Sequence, residues 1–128
     1  MNIREYLDLL EQALEWVDVH PSLINELFDL MKNSGCESQF LKVFASRLDF
    51  LQQHGSNAVQ LSKKYERLNR DICSMHVDIK NKNIRILYSI RPNGTVLLLA
   101  FHERGGKAAT DYSQKIPEAS RRLKELED

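Results

Sequence analysis

The sequence predicts an α+β domain, with helices first, then an antiparallel meander of about three strands, then a closing helix. Three observations carry this reading. Apolar residues recur at helical spacing from the N-terminus to about residue 65. After Asn69 the period drops to two, as in a strand. From about residue 111 the helical spacing returns.

Ile3, Leu7, Leu10, Leu14 and Val17 step by four, three, four and three, which predicts an amphipathic helix over residues 2–18. Pro21 suits the first position of a second helix, where its missing N–H costs nothing. Leu23, Leu27, Leu30 and Met31 form the stripe of that helix, and Gly35 ends it. Phe40, Val43, Phe44, Leu48 and Leu51 mark a third helix that stops at Gly55. Asn57 is placed to cap a short fourth helix carrying Leu61, Lys63, Lys64 and Tyr65.

In ICSMHVDI (72–79), Cys73, Met75, Val77 and Ile79 alternate with Ser74, His76 and Asp78. Residues 80–83 make a polar turn. In IRILYSIR (84–91), Ile84, Ile86, Tyr88 and Ile90 share one face, and Arg85, Leu87, Ser89 and Arg91 the other. Pro92-Asn93-Gly94 is a hairpin turn, and TVLLLAF (95–101) is apolar on both faces, as a central strand requires. Ile116, Ala119, Leu123 and Leu126 line the last helix, residues 111–127, with Pro117 placed either to start it or to bend it.

A chain of 128 residues fits one domain, 1–128. Its 42% hydrophobic and 28% charged residues are ordinary globular values with material for one core. No apolar run approaches the roughly 18 residues of a membrane span, and the acidic amphipathic start is unlike a signal or transit peptide. A cytoplasmic protein without membrane contact is therefore expected. Cys36 and Cys73 form no CxxC pair and read as reduced, buried thiols. His20, His54, His76 and His102 lie far apart and show no metal-ligand spacing, so neither a metal nor a cofactor is expected. Net charge is zero, yet residues 1–41 carry eight acids against Arg4 and Lys32, leaving +6 on the remainder. That split reads either as a basic body that meets an anion, with an acidic appendage, or as acids on exposed helix faces.

The chemistry gathers near the strands. Symmetric counting from Asn93/Gly94 sets Arg85 opposite His102, close to Arg104 and Lys107 in the loop after the last strand. Metal-free cleavage of RNA needs such groups. His102 would move a proton near neutral pH, while Arg85 and Arg104 stabilise the charge that develops on phosphorus. Lys63, Lys64, Arg67, Arg70, Arg91 and Lys107 are candidates for holding the phosphate backbone, and Tyr112 for stacking on a base. Each has a plainer reading as well. Arg85 equally suits a cross-strand ion pair with Glu103 or Asp78, His102 a hydrogen-bonded edge histidine, and 63–70 a solvated helix face.

The stretch IRILYSIRPNGTVLLLAFHERGGKAATDYSQKIPEASRRLKEL resembles the C-terminal half of the RelE/HigB-like toxins, of the RelE/ParE superfamily. The matching residues are Arg85, Ile86, Leu87 and Tyr88, then Val96 to Phe101, then Arg104, Lys107 and Thr110. FLKVFASRLDFLQQHG resembles the helix before the family's sheet, so the likeness covers about 40–126. It implies a RelE-like core at 39–128, preceded by an acidic helical extension at 1–38. It also implies the toxin of a type II toxin–antitoxin pair, a small metal-independent endoribonuclease that cuts mRNA, often on the ribosome. Such a toxin is restrained by a cognate antitoxin, expected to be a helix-turn-helix protein.

Two departures stand out. Glu103 occupies one position of the family's basic pair, beside Arg104, and the loop is longer by Gly105-Gly106. Family members also begin with a short strand, where this chain reads as two acidic helices. Those helices are expected to cover the sheet edge, contact the basic site or form a homodimer interface. A non-catalytic RNA- or protein-binding module and a gyrase-inhibiting ParE-like toxin are the alternative functions.

Overall fold

The computed structural model describes residues 1–127. Its helices are α1 (Ile3–Ala13), α2 (Pro21–Met31), α3 (Glu37–His54), the single turn α4 (Ala58–Leu61) and α5 (Ala108–Glu127). The strands are β1 (Asp18–Val19), β2 (Tyr65–Arg67), β3 (Cys73–Ile79), β4 (Lys82–Arg91) and β5 (Gly94–His102). The α+β class holds, but among the described residues the sheet has five strands where the sequence predicts about three, in the order β1-β5-β4-β3-β2. The antiparallel meander starts one strand early, at β2, and β1 adds to it in parallel with β5.

Both extra strands are too short to show a period. β2 lies where Leu61, Lys63, Lys64 and Tyr65 predict a helix. Tyr65 is buried, and its hydroxyl donates to the Arg47 carbonyl of α3 at 2.6 Å, which draws the chain into an extended edge. β1 lies between the two N-terminal helices and forms the sheet edge beside β5.

Each sheet face carries its own core. Tyr6, Leu10 and Leu14 from the α1 region, Leu23, Leu27 and Met31 of α2, and Phe40, Phe44, Leu48 and Leu51 of α3 pack on Met75, Val77, Ile84, Ile86 and Tyr88. The buried face of α1 is centred on Tyr6, whose hydroxyl donates to the Leu27 carbonyl at 2.7 Å, and Ile3 stays exposed. On the opposite face, Ala119 and Leu123 of α5 pack on Leu87, Val96, Leu98, Leu99 and Phe101. Leu126, predicted on that stripe, is exposed, and α5 continues through Pro117.

α3 ends at Gly55, with φ 53° and ψ −126°, a combination that an L side chain resists. Gly55→Ala is expected to cost about 1–3 kcal/mol by strain alone, since a Cβ there meets no neighbour within 4 Å. Chemical denaturation checks it, and an unchanged midpoint overturns the strain argument.

The hairpin register differs from the symmetric count. Arg91 pairs with Gly94, so the loop is Pro92-Asn93, not Asn93-Gly94. Leu87 then pairs with Leu99 and Tyr88 with Leu97, leaving Leu98 as a bulge residue in β5. Arg85 therefore opposes Phe101, and His102 opposes Ile84. Because side chains alternate, this one-residue difference puts Arg85 and His102 on opposite faces of the sheet.

Candidate active site

On the face that α5 covers, the helix packs over β4 and β5 and leaves β3 and β2 partly open. The side chains of Glu66, Ser74, His76, Asp78 and Arg85 share this face, Ser74 and Arg85 buried in it, because Glu66 pairs with Ser74, His76 with Arg85, and alternate residues of β3 share a face. Tyr112, in the first turns of α5, reaches down from the helix. Its ring meets Phe101 edge-on, with centroids 5.7 Å apart.

The Tyr112 hydroxyl lies 2.9 Å from Ser74 Oγ and 3.5 Å from His76 Nε2. His76 Nε2 is also 3.3 Å from Glu66 Oε1. The imidazole thus sits between a carboxylate and a phenol. Its backbone is fixed on both sides, with N–H donated to the Lys64 carbonyl at 2.8 Å and C=O accepting from Arg47 Nε at 2.9 Å. Burial, followed by the nearby Arg85 charge, holds the His76 pKa below its ordinary value, against the opposing pull of Glu66 and Asp78. Neutral imidazole is therefore the dominant form at pH 7. Burial pushes the Tyr112 pKa up to about 12, so the phenol keeps its proton and serves as a donor.

Arg85 is 7% exposed. Its Nη1 donates to Asp78 Oδ1 at 2.6 Å, and its Nη2 lies 2.5 Å from Glu103 Oε2, while Nε is buried without a partner. Burial alone would lower its pKa, but the hydrogen bond and charge of Asp78, with Glu103, raise it. Both ion-pair partners predicted for Arg85 are present. Glu103 reaches it because its N–H extends the ladder to the Asn83 carbonyl at 2.8 Å, which turns its side chain to the Arg85 face.

The structure divides the residues predicted to act together. Arg85 and Tyr112 join at the His76 cluster, with Lys64 3.9 Å from Asp78. His102 and Arg104 do not. They line a separate open depression with Glu26, Asp29 and Asp111. Arg104 is clamped on Asp111, with Nη2 at 2.5 Å, Nε at 2.8 Å and its backbone N–H at 2.8 Å. Lys63 and Lys107 are exposed, and Arg67 and Arg91 lie toward the other end of the sheet. His76, Glu66, Ser74 and Asp78 were not singled out from the sequence for chemistry. The signal was present in the alternation of Ser74, His76 and Asp78, which placed three polar residues on one strand face.

Among the described residues, no group of three or more His, Cys, Asp or Glu side chains is placed to hold a metal ion, and no helix is long and apolar enough to cross a membrane. No family model, curated protein or solved structure matches the chain.

Proposed function

We propose that this protein is an endoribonuclease that cleaves RNA by attack of the ribose 2′-hydroxyl on the adjacent phosphate. The observation that carries this reading is one half-open sheet face that holds the His76 imidazole 3.5 Å from the Tyr112 phenol, with Arg85 as the cross-strand partner of His76. With Nε2–H donating to Glu66, the lone pair of the neutral ring is on Nδ1; His76 takes the 2′-hydroxyl proton there, and Glu66 stabilises the imidazolium that results. Arg85 stabilises the charge on the pentacoordinate phosphorus by exchanging Asp78 or Glu103 for a phosphoryl oxygen, and Tyr112 donates a hydrogen bond to a second one. The bond from phosphorus to the 5′-oxygen then breaks. His76 returns its proton to that oxygen, leaving a 2′,3′-cyclic phosphate and a 5′-hydroxyl. Lys64, 3.9 Å from Asp78, binds the RNA backbone.

The resemblance to RelE/HigB-like toxins supports the same reading, with mRNA as substrate, the cytoplasm as its place and an antitoxin as its partner. Incubation with mRNA, in a chelator for free RNA and in magnesium buffer with ribosomes, is expected to give fragments ending in cyclic phosphate. Intact mRNA, with and without ribosomes, overturns the reading. A second reading, a binding module without chemistry, is favoured by one observation: Asp78 and Glu103 together already occupy the Arg85 guanidinium. RNA retention without cleavage selects it.

A further inference from the structure

Charges of alternating sign cross the His76 face of the sheet in one row, in the order Lys64, Asp78, Arg85, Glu103. Lys64 precedes β2, and its carbonyl accepts the His76 N–H at 2.8 Å, which sets it beside β3. Lys64 Nζ lies 3.9 Å from Asp78 Oδ2. Asp78 Oδ1 accepts from Arg85 Nη1 at 2.6 Å, and Arg85 Nη2 lies 2.5 Å from Glu103 Oε2. Asp78 thus faces two cations at once, and Arg85 two anions.

A carboxylate has to move before a phosphate reaches Arg85, whose side chain is 8% exposed. The two carboxylates differ in what that movement costs. The Glu103 side chain is 13% exposed, and among the described residues its one cation is Arg85. Releasing it strands a charge with little water around it. The Asp78 side chain is 36% exposed and has Lys64 on its other oxygen. Turning it outward moves its charge toward water and toward a cation it already faces.

The cations suit this exchange. Arg85 stays in place when Asp78 leaves, since Glu103 holds Nη2 and the Ile84 carbonyl accepts from Nη1 at 3.2 Å. Lys64 is half exposed on a flexible stem. An ammonium has three donors, so it meets a carboxylate and a phosphate oxygen together.

We propose that Asp78 gates the Arg85 site: an RNA phosphate displaces it from Nη1, Lys64 takes the freed carboxylate, and Glu103 stays. This rests on the reading that the His76 face takes RNA, and it names the carboxylate that yields. Asp78 is then a brake on binding, because every phosphate that enters competes with it.

Anisotropy titration of the full chain with a labelled 2′-deoxy hexanucleotide, at fixed low salt, tests it. The probe has no attacking hydroxyl, so binding is read without cleavage. Asp78→Asn is expected to bind about tenfold tighter than wild type, the scale of one charge-assisted hydrogen bond no longer contested. Glu103→Gln changes the net charge equally and should stay closer to wild type than to Asp78→Asn. Lys64→Gln should weaken wild type more than it weakens Asp78→Asn, because only wild type has a carboxylate to hand over. Glu103→Gln matching Asp78→Asn overturns the choice of gate, and equal Lys64→Gln losses in both backgrounds overturn the hand-over. Unchanged binding by Lys64→Gln alone also overturns it, whatever the stability of Asp78→Asn. Tighter binding by Asp78→Asn in a protein that leaves all-ribose RNA intact refutes the nuclease reading and leaves the gate standing. No binding by wild type or any variant refutes both.

Discussion

His76→Gln is expected to lower RNA cleavage at least 100-fold, the usual worth of a positioned general base. Glutamine is close in size and keeps a polar group near Tyr112 and Glu66, so the fold should survive, and matching melting curves check this. The pH profile separates chemistry from packing. The active form is neutral imidazole, and burial with Arg85 sets its pKa below the ordinary value. Cleavage should therefore fall as pH drops through a midpoint below about 6.5 and stay flat around neutrality. Glu66→Gln removes a carboxylate that raises the His76 pKa, so the midpoint moves further toward acid. A His76→Gln variant within tenfold of wild type removes His76 from the reaction. A Glu66→Gln midpoint that moves upward overturns the electrostatic account.

The long elements were legible because their periods are long. Leu23, Leu27 and Met31, like Phe40, Phe44, Leu48 and Leu51, are buried as their spacing predicts. The two-faced apolar character of 95–101 correctly marked an interior strand, flanked by β1 and β4. β1 and β2 were invisible, since two or three residues make no pattern. The basic residues from Lys63 to Arg70 read as a helix face, when β2 and its loop hold them. The site was half legible. Arg85 and both its acidic partners could be read from strand positions. Its histidine could not, because the choice between His76 and His102 turns on register. Two local features set that register, the Pro92-Asn93 loop and the bulge at Leu98, and neither leaves a periodic trace.

The other large effect concerns the β5 edge, where β1 covers only Val96 and Leu97 and leaves the strand beyond them to side chains. Glu26 of α2 accepts from the Ala100 N–H at 3.1 Å. Arg122 of α5 grips both Glu26 oxygens at 2.8 Å and donates to the Leu98 carbonyl at 2.9 Å. This pair joins the helices of opposite faces around the sheet's edge. Arg122 is 5% exposed, so Arg122→Ala leaves a carboxylate without its cation and a buried carbonyl without its donor. A loss of about 3 kcal/mol is expected, or roughly 10 °C in melting temperature for a chain of this size. Replacing both partners by apolar residues, Arg122→Met with Glu26→Leu, should recover much of the loss, because no charge is then stranded. The same helix carries Tyr112, so Arg122→Ala should also slow cleavage by letting α5 shift over His76, and the double variant should regain part of the rate. A single-variant melting temperature within about 2 °C of wild type would mean that apolar packing of Ala119 and Leu123 alone holds α5 in place.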